Sequence, residues 1–241
     1  MIKSLLGALT AVGLSQTAVG ATYFTTKCSQ FGQPEFQFSA SNAVVPQVDI
    51  DWLIRTLEGL VASGEKFKVG ETVQLGWMVT KLESGDKGSL KITEPDMKSF
   101  PIKFVDSVDS TLRVTRSQKD VVESVLSASD IAFPTLVQSV VVHKNYKQAR
   151  QIVLQRLPPS GSDSGWWLLD QTDGSQDSKQ FTRISLYQLA LDRPNLVMFL
   201  ALPAGVQVAI DGRAVIMRDG TELRVKPDSF LDHLNKKGFA P

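Results

Sequence analysis

Apolar positions in the first half of the chain recur at strand spacing in some segments and at helix spacing in others. Residues 22–28 and 35–41 alternate in polarity on either side of a turn-forming segment, which predicts two strands. A helix is predicted next, with Gly64 as its stop and an apolar stripe of Leu53, Leu57, Leu60 and Val61. A second helix is predicted over residues 107–127, with Val108, Leu112, Val122 and Leu126 on its apolar side.

A β-hairpin is predicted between these two helices. Gly85-Asp86-Lys87-Gly88 supplies its turn, and the incoming strand is expected to carry Val73, Leu75, Trp77 and Val79 on one face. Glu94 and Asp96 follow, on either side of Pro95. We interpret these two carboxylates as part of a structural turn rather than as a catalytic pair.

The second half has more strand character. Residues 135–145 are rich in β-branched side chains, and a Ser/Gly-rich loop leads into a strand that contains Trp166 and Trp167. A short helix is predicted over residues 182–194, with Thr182 as a possible cap. A terminal hairpin follows, with Asp211-Gly212 at its tip.

This order of elements mixes strands and helices without a regular βαβ alternation. It predicts an α+β fold with largely antiparallel sheets and packed helices. A boundary near residue 133 divides the chain into an N-terminal α+β half, residues 22–133, and a C-terminal α+β half, residues 134–241. The chain contains 42% hydrophobic and 21% charged residues, which is typical of a globular protein with a substantial core.

The first 21 residues have the outline of a secretory signal peptide. Lys3 precedes an apolar run from Leu5 to Leu14, and small residues lead to a cleavage site after Ala21. This pattern predicts a periplasmic protein without stable membrane insertion once the signal is removed. The alternative is a cytoplasmic protein in which residues 1–21 form an amphipathic helix.

Charge and residue content disfavour several classes of function. The formal net charge of +1 gives no field for binding nucleic acid. Two histidines and one cysteine are too few for a histidine-rich metal site or a disulfide, and no phosphate-binding glycine motif occurs. We therefore predict no catalytic, cofactor-binding or metal-binding residues, and Cys28 is expected to be a buried or incidental thiol.

Residues 160–179 contain the most unusual stretch. Gly161 and Gly165 suggest a nucleophile elbow, but the central residue is Asp163 rather than serine, and a strand follows where the elbow requires a helix. The aspartate-rich segment after Asp170 is interpreted as a solvated loop rather than a calcium site. Neighbouring strand residues face opposite sides of a sheet. Either a helix such as residues 183–191 packs over the second face and both tryptophans are core, which is the preferred prediction, or Trp167 is left for a partner.

The second half resembles a known family over residues 135–225. The residues that carry the likeness are "SDSGWWLLD", "SLYQLALDRPNLVMFLALPAG" and "QVAIDGRAVIMRDG", above all Asp163 to Trp166 and Leu202 to Gly205. They resemble an immunity-protein domain of bacterial polymorphic toxin systems, formerly a domain of unknown function. The first half looks like the extension of longer family members.

The resemblance implies a protein, not an enzyme, that binds and neutralises a cognate toxin made by the same or a neighbouring cell. A toxin that acts in the periplasm fits the neutral charge and the export signal. The candidate partner-binding residues are Asp163, Ser164, Trp167, Asp170 and Asp173. The alternatives are an envelope-located hydrolase that uses Asp163, or Ser164 activated by His143, and a structural adaptor without a toxin partner.

Overall fold

The computed structural model describes residues 20–98, 100–172 and 177–239. In these ranges the chain has an α+β fold with two sheets, and most neighbouring strands are antiparallel, as the sequence predicts. The predicted signal peptide lies almost wholly outside the described residues. The predicted boundary near residue 133 stays a prediction.

The first half contains β1 (Ala21–Phe24), β2 (Phe36–Ala40), α1 (Gln47–Ala62), β3 (Thr72–Leu75), β4 (Met78–Ser84), β5 (Leu90–Pro95), β6 (Phe104–Val105) and α2 (Asp109–Val125). Its strands form the N-terminal sheet, in the order β1-β2-β5-β4-β3 with β6 paired to β5. Strands β2 and β5 are parallel.

The second half contains β7 (Ser139–His143), β8 (Ile152–Arg156), β9 (Asp163–Asp170), β10 (Phe181–Ser185), α3 (Leu186–Asp192), β11 (Val206–Asp211), β12 (Arg213–Arg218), β13 (Thr221–Glu222) and α4 (Phe230–Lys237). Its strands form the C-terminal sheet, in the order β10-β7-β9-β8-β11-β12-β13, with β7 and β9 parallel. Short 3-10 helices occupy Cys28–Phe31, Asp86–Gly88, Ala128–Asp130, Ser178–Gln180 and Pro194–Phe199.

Helices α1 and α2 form where the apolar spacing predicts them. The buried side of α1 is an apolar stripe at helical spacing, made of Ile50, Leu53, Leu57 and Val61. Gly64, the predicted stop, has a φ of +105°, which a glycine adopts at little cost.

Helix α2 begins at a carboxylate that comes from a neighbouring strand. Glu94 in β5 is buried, and its side chain accepts hydrogen bonds from the backbone nitrogens of Ser110 (3.0 Å) and Thr111 (2.6 Å). These N–H groups lack partners within the helix, and a negative charge there favours the helix dipole. The role of Glu94 is therefore structural, as predicted, but it caps a helix and does not build a turn.

Two apolar clusters form the core, and α2 contributes to both. Leu112 packs into the cluster between the N-terminal sheet and α1, whereas Val121 and Val122 pack into the cluster of the C-terminal half. The second cluster joins one face of the C-terminal sheet to α3, α4 and the 3-10 helix Pro194–Phe199. We call this the inner face of that sheet.

One predicted strand is interrupted in the structure. Residues 73–79 do not form a continuous strand, because a tight turn at Gly76 pairs Leu75 with Met78 across β3 and β4. Gly76 has a φ of +61°, and a Cβ there would lie 2.5 Å from the Oγ1 of Thr115. The prediction of one shared face was wrong, since Trp77 packs in the C-terminal cluster while Val73 packs in the N-terminal one.

The predicted cap at Thr182 was also wrong. Residues Phe181–Ser185 extend the C-terminal sheet by pairing with β7, so Thr182 lies in a strand. Helix α3 begins after Ser185, whose hydroxyl oxygen accepts a hydrogen bond from the nitrogen of Gln188. Tertiary pairing with β7 overrides the local preference for a helix.

Candidate functional site

Strand β9 separates the two tryptophans onto opposite faces of the C-terminal sheet. Trp166 points to the inner face and is fully buried together with Leu168. Trp167 points to the other side, which we call the outer face, and is half-buried. The preferred prediction, core packing of both tryptophans, was therefore right for Trp166 and wrong for Trp167.

Trp166 is held by polar contacts as well as by packing. Its Nε1 donates a hydrogen bond to the carbonyl oxygen of Leu200 (3.0 Å). The guanidinium of Arg156 lies 5.5 Å from its ring centroid and donates to the carbonyl oxygens of Ala132 and Leu202. Burial lowers the pKa of Arg156 to about 10. Trp166 is thus part of the core, where a partner cannot reach it.

The outer face carries an apolar centre around Trp167. Trp167 lies opposite Val141 on one side and Gln155 on the other, and its ring centroid is 5.8 Å from that of Phe181. Strand pairing continues this face across the sheet. Its apolar members are Val141, Val153, Trp167, Leu169, Phe181, Ala209, Val215 and Met217.

No described residue of either core cluster belongs to this outer face. The helices of the C-terminal half pack into the cluster on the inner face, and the outer-face side chains other than Val141 remain partly exposed. A contiguous apolar patch with partial exposure is typical of a surface that binds another protein. Tryptophan is the residue most favoured at the centre of such a surface.

An ion pair lies at the edge of the outer face. The Nη1 of Arg183 is 2.6 Å from the Oδ2 of Asp163 and 2.9 Å from the hydroxyl of Ser139. Burial alone would raise the pKa of Asp163, but the hydrogen bonds from Arg183 and from the nitrogen of Gly165 hold it below its ordinary value. Asp163 is therefore charged at neutral pH and is already paired within the chain.

Ser164 is not accessible. Its side chain is buried, and its Oγ donates a hydrogen bond to the carbonyl oxygen of Ser139 (2.6 Å). Gly165 beside it has a φ of +76°, and a Cβ there would lie 2.1 Å from the carbonyl oxygen of Leu157. A side chain at position 165 would therefore clash with Leu157, which explains the glycine. Ser164 has no exposed surface for partner contact, which corrects its assignment as a contact residue.

The serine hydrolase alternative requires His143 and Ser164 to be in contact. Ser164 bonds to Ser139 at the start of β7, whereas His143 ends that strand. Four residues of extended chain span roughly 13 Å, well beyond hydrogen-bond reach. The described geometry therefore does not assemble the proposed dyad.

Asp170 and Asp173 are the two remaining candidate contact residues. Asp170 is buried, and its carboxylate accepts hydrogen bonds from Thr172 (2.9 Å and 2.6 Å) and from Asn145 (2.8 Å). Burial alone would raise the pKa of Asp170, but these hydrogen bonds hold it below its ordinary value. Its burial argues against direct partner contact. Asp173 lies outside the described residues.

Other reactive groups do not form a second site. The thiol of Cys28 is fully buried, as predicted, and burial raises its pKa to about 11. Across residues 20–98, 100–172 and 177–239, no group of three or more His, Cys, Asp or Glu residues is arranged to hold a metal ion. In the same ranges, no helix has both the length and the apolar character needed to cross a bilayer.

Several outer-face residues were not found from the sequence. Arg183 was missed because its segment was predicted to be a helix, and Phe181 directly precedes that predicted helix. The alternation in β8, β11 and β12 did contain a signal, since Val153, Ala209 and Val215 stand at every second position between buried residues. Only the strand order shows that these positions adjoin Trp167.

Residues 117–219 match the family model of the Imm33-like domain. The match covers less than half of the chain and runs from within α2 to the end of β12, so it includes β9 and the outer face. It confirms the predicted resemblance of this region to an immunity-protein domain. Searches of curated proteins and of solved structures found no match.

Proposed function

We propose that this chain is an immunity protein that binds a cognate toxin through the outer face and neutralises it stoichiometrically. The observation that carries the proposal is the open apolar outer face, centred on Trp167, within a region similar to the Imm33-like domain. Trp167 and the Asp163–Arg183 pair remain as candidate contacts. Ser164 and Asp170 instead support the strand that presents them.

The physical expectation is tight binding by a standard interface. Such an interface buries about 1,600 Å² in total. A few well-buried anchors within it can provide nanomolar affinity, about −12 kcal/mol. Half-buried apolar side chains suit the centre of the interface, because burying them costs little conformational entropy when the sheet already holds them in place.

The test uses the product of the neighbouring gene as the candidate toxin. Purified proteins are mixed, and affinity is measured by calorimetry for the wild type, Trp167→Ala and a matched control, Trp52→Ala. Trp52 is also half-buried but lies on α1, away from the outer face. We expect Trp167→Ala to weaken binding at least about thirtyfold, while the control changes it little.

A second pair of variants tests the surface rather than one side chain. Ala209→Arg places a bulky charge on the outer face, two strands away from Trp167, and Val69→Arg places the same charge on an exposed position of the first half. Only Ala209→Arg should abolish the complex. If both variants bind normally, the outer face is not the toxin-binding surface.

Neutralisation without turnover is tested in cells. The toxin is expressed at a constant level while the amount of this chain is titrated, and survival is recorded. Protection should appear when the two proteins reach equal amounts. Protection at a small fraction of the toxin level would contradict stoichiometric binding and would favour an enzyme that inactivates the toxin or repairs its damage.

Action in the periplasm is part of the proposal and rests on the N-terminal pattern around Lys3 and Leu5–Leu14. Cleavage after Ala21 would leave Thr22–Phe24 to pair with β2. N-terminal sequencing of the protein from its native host should therefore begin at Thr22. An intact Met1 on cytoplasmic material would refute export.

A further inference from the structure

A groove of about 680 Å³ runs beside α2, and we call it the α2 groove. Its floor is the helix side that carries Ser110, Arg113, Val114, Ser117 and Asp120. Those positions span about 15 Å along the helix axis. The walls come from the start of α1, from the 3-10 helix Pro194–Phe199 and from Phe230 at the start of α4. The volume lies within the range of small-molecule sites.

The α2 groove is mainly apolar and is open to solvent. Val114 on its floor and Met198 on its wall are half-buried, while Phe230 and Val44 at its sides are 37% and 48% exposed. Apolar surface left in water gains free energy when a ligand covers it. An elongated apolar ligand therefore fits both the shape and the chemistry of the groove.

The two arginines that line the groove differ in whether they are paired with a carboxylate. Arg116 is already bound by Asp49 through two hydrogen bonds, of 2.6 Å and 2.9 Å. Arg113 is exposed, and within the described residues no carboxylate forms an ion pair with it. Asp120 lies seven residues further along α2, about 10 Å from Arg113 along the axis. Burial raises the pKa of Asp120, and the positive charge of Arg116 opposes that rise.

We propose that the α2 groove binds a single-chain anionic amphiphile. Its apolar tail lies along Val114 and Met198, and its anionic head pairs with Arg113. A free fatty acid and a lysophospholipid share this chemistry. The inference does not depend on toxin binding, because none of the outer-face residues lines this groove.

The first experiment compares two ligands that differ only in the head group. The full chain is titrated by calorimetry with decanoate and with 1-decanol, both below the concentrations at which they aggregate. We expect one saturable site, with decanoate the tighter ligand. Lengthening the tail from decanoate to dodecanoate should tighten binding about tenfold, because each buried methylene contributes about three- to fourfold.

Variants then locate the site. Arg113→Ala should weaken decanoate binding by about three- to fivefold and leave decanol unchanged, since an exposed ion pair contributes modestly. Arg213→Ala is the matched control, because Arg213 is also exposed but lies at the tip of the β11–β12 hairpin. Val114→Glu should abolish binding of both ligands, and its thermal melting is checked first.

Three results would overturn the proposal. The first is that neither decanoate nor lauroyl lysophosphatidylglycerol, which is titrated in the same way, binds to the chain. The second is that the titration shows many weak sites instead of one. The third is that Arg113→Ala weakens the binding of decanoate and of decanol equally. If Val114→Glu does not fold, Arg113→Ala still decides the question, because its side chain is exposed. Comparison of the two anionic ligands distinguishes a free fatty acid from a lipid source. Loss of toxin binding in Trp167→Ala leaves these results unaffected.

Discussion

The two faces of the C-terminal sheet are built from the same alternating strands but have different environments. The inner face, with Trp166 and Leu168, is covered by α2, α3, α4 and the 3-10 helix Pro194–Phe199. The outer face, with Trp167 and Leu169, has comparable apolar side chains, yet none of them joins either core cluster. An antiparallel sheet with one covered face ordinarily places polar residues on the other.

This difference separates stability from function. Apolar residues on the inner face are explained by folding, because their burial drives the packing of the helices. Apolar residues on the outer face are not explained in this way, since none of them joins either core cluster and all but Val141 remain partly exposed. The outer face is therefore where a partner is expected, and the inner face is where substitutions should cost stability.

The largest expected contrast is between the two adjacent tryptophans. Trp166→Ala should lower the free energy of unfolding by about 3–5 kcal/mol, because it removes a fully buried aromatic ring. Trp167→Ala should cost about 1 kcal/mol, since this ring is partly exposed already. Urea unfolding of both variants measures the difference. Equal losses would show that the outer face belongs to a core.

A smaller contrast is expected between Ser164 and Ser139, which are joined by a hydrogen bond across two strands. Ser164→Ala should cost about 1–2 kcal/mol, because it removes a buried hydroxyl that bonds to the carbonyl oxygen of Ser139. Ser139→Ala is the comparison on the outer face, and it should cost less, about 0.5 kcal/mol, because the hydrogen bonds of its hydroxyl to Arg183 and to the carbonyl oxygen of Ser162 are exposed to solvent. Thermal unfolding compares the two variants. A larger cost for Ser139→Ala would reverse the assignment of the faces.

The smallest contrast concerns the pH dependence of two aspartates. The pKa values of Asp170 and Asp163 are both held below normal. A carboxylate of this kind stabilises the fold above its unfolded pKa of about 4, and that stabilisation is lost as the pH falls through the lower folded pKa. Asp170→Asn should therefore cost about 1 kcal/mol at pH 7 and less at about pH 3.

Salt distinguishes the two aspartates in the same measurement. The partly exposed pair of Asp163 and Arg183 should contribute less at high ionic strength, whereas the buried hydrogen bonds of Asp170 should not change. Unfolding of Asp163→Asn and Asp170→Asn at low and high salt checks this. An equal salt response would mean that Asp170 is as accessible as Asp163.

Local pattern was sufficient for much of the fold. The spacing of apolar residues predicted α1, α2, the hairpin around Asp86 and the hairpin at Asp211-Gly212, because these elements depend on contacts close in sequence. It also predicted the α+β class, the buried thiol of Cys28 and the resemblance to an immunity-protein domain.

Tertiary structure decided the points at which distant residues compete with local preference. Pairing with β7 made Phe181–Ser185 a strand, and close contact with Thr115 accompanied the turn at Gly76. Alternation alone showed that Trp166 and Trp167 face opposite sides. Which side is covered depends on where α2, α3 and α4 pack, and those contacts join residues far apart in the chain. The sequence by itself therefore determined most helices and strands and singled out Trp167 as a candidate contact residue. Only the assembled sheet placed Val153, Ala209 and Arg183 on the same face as Trp167.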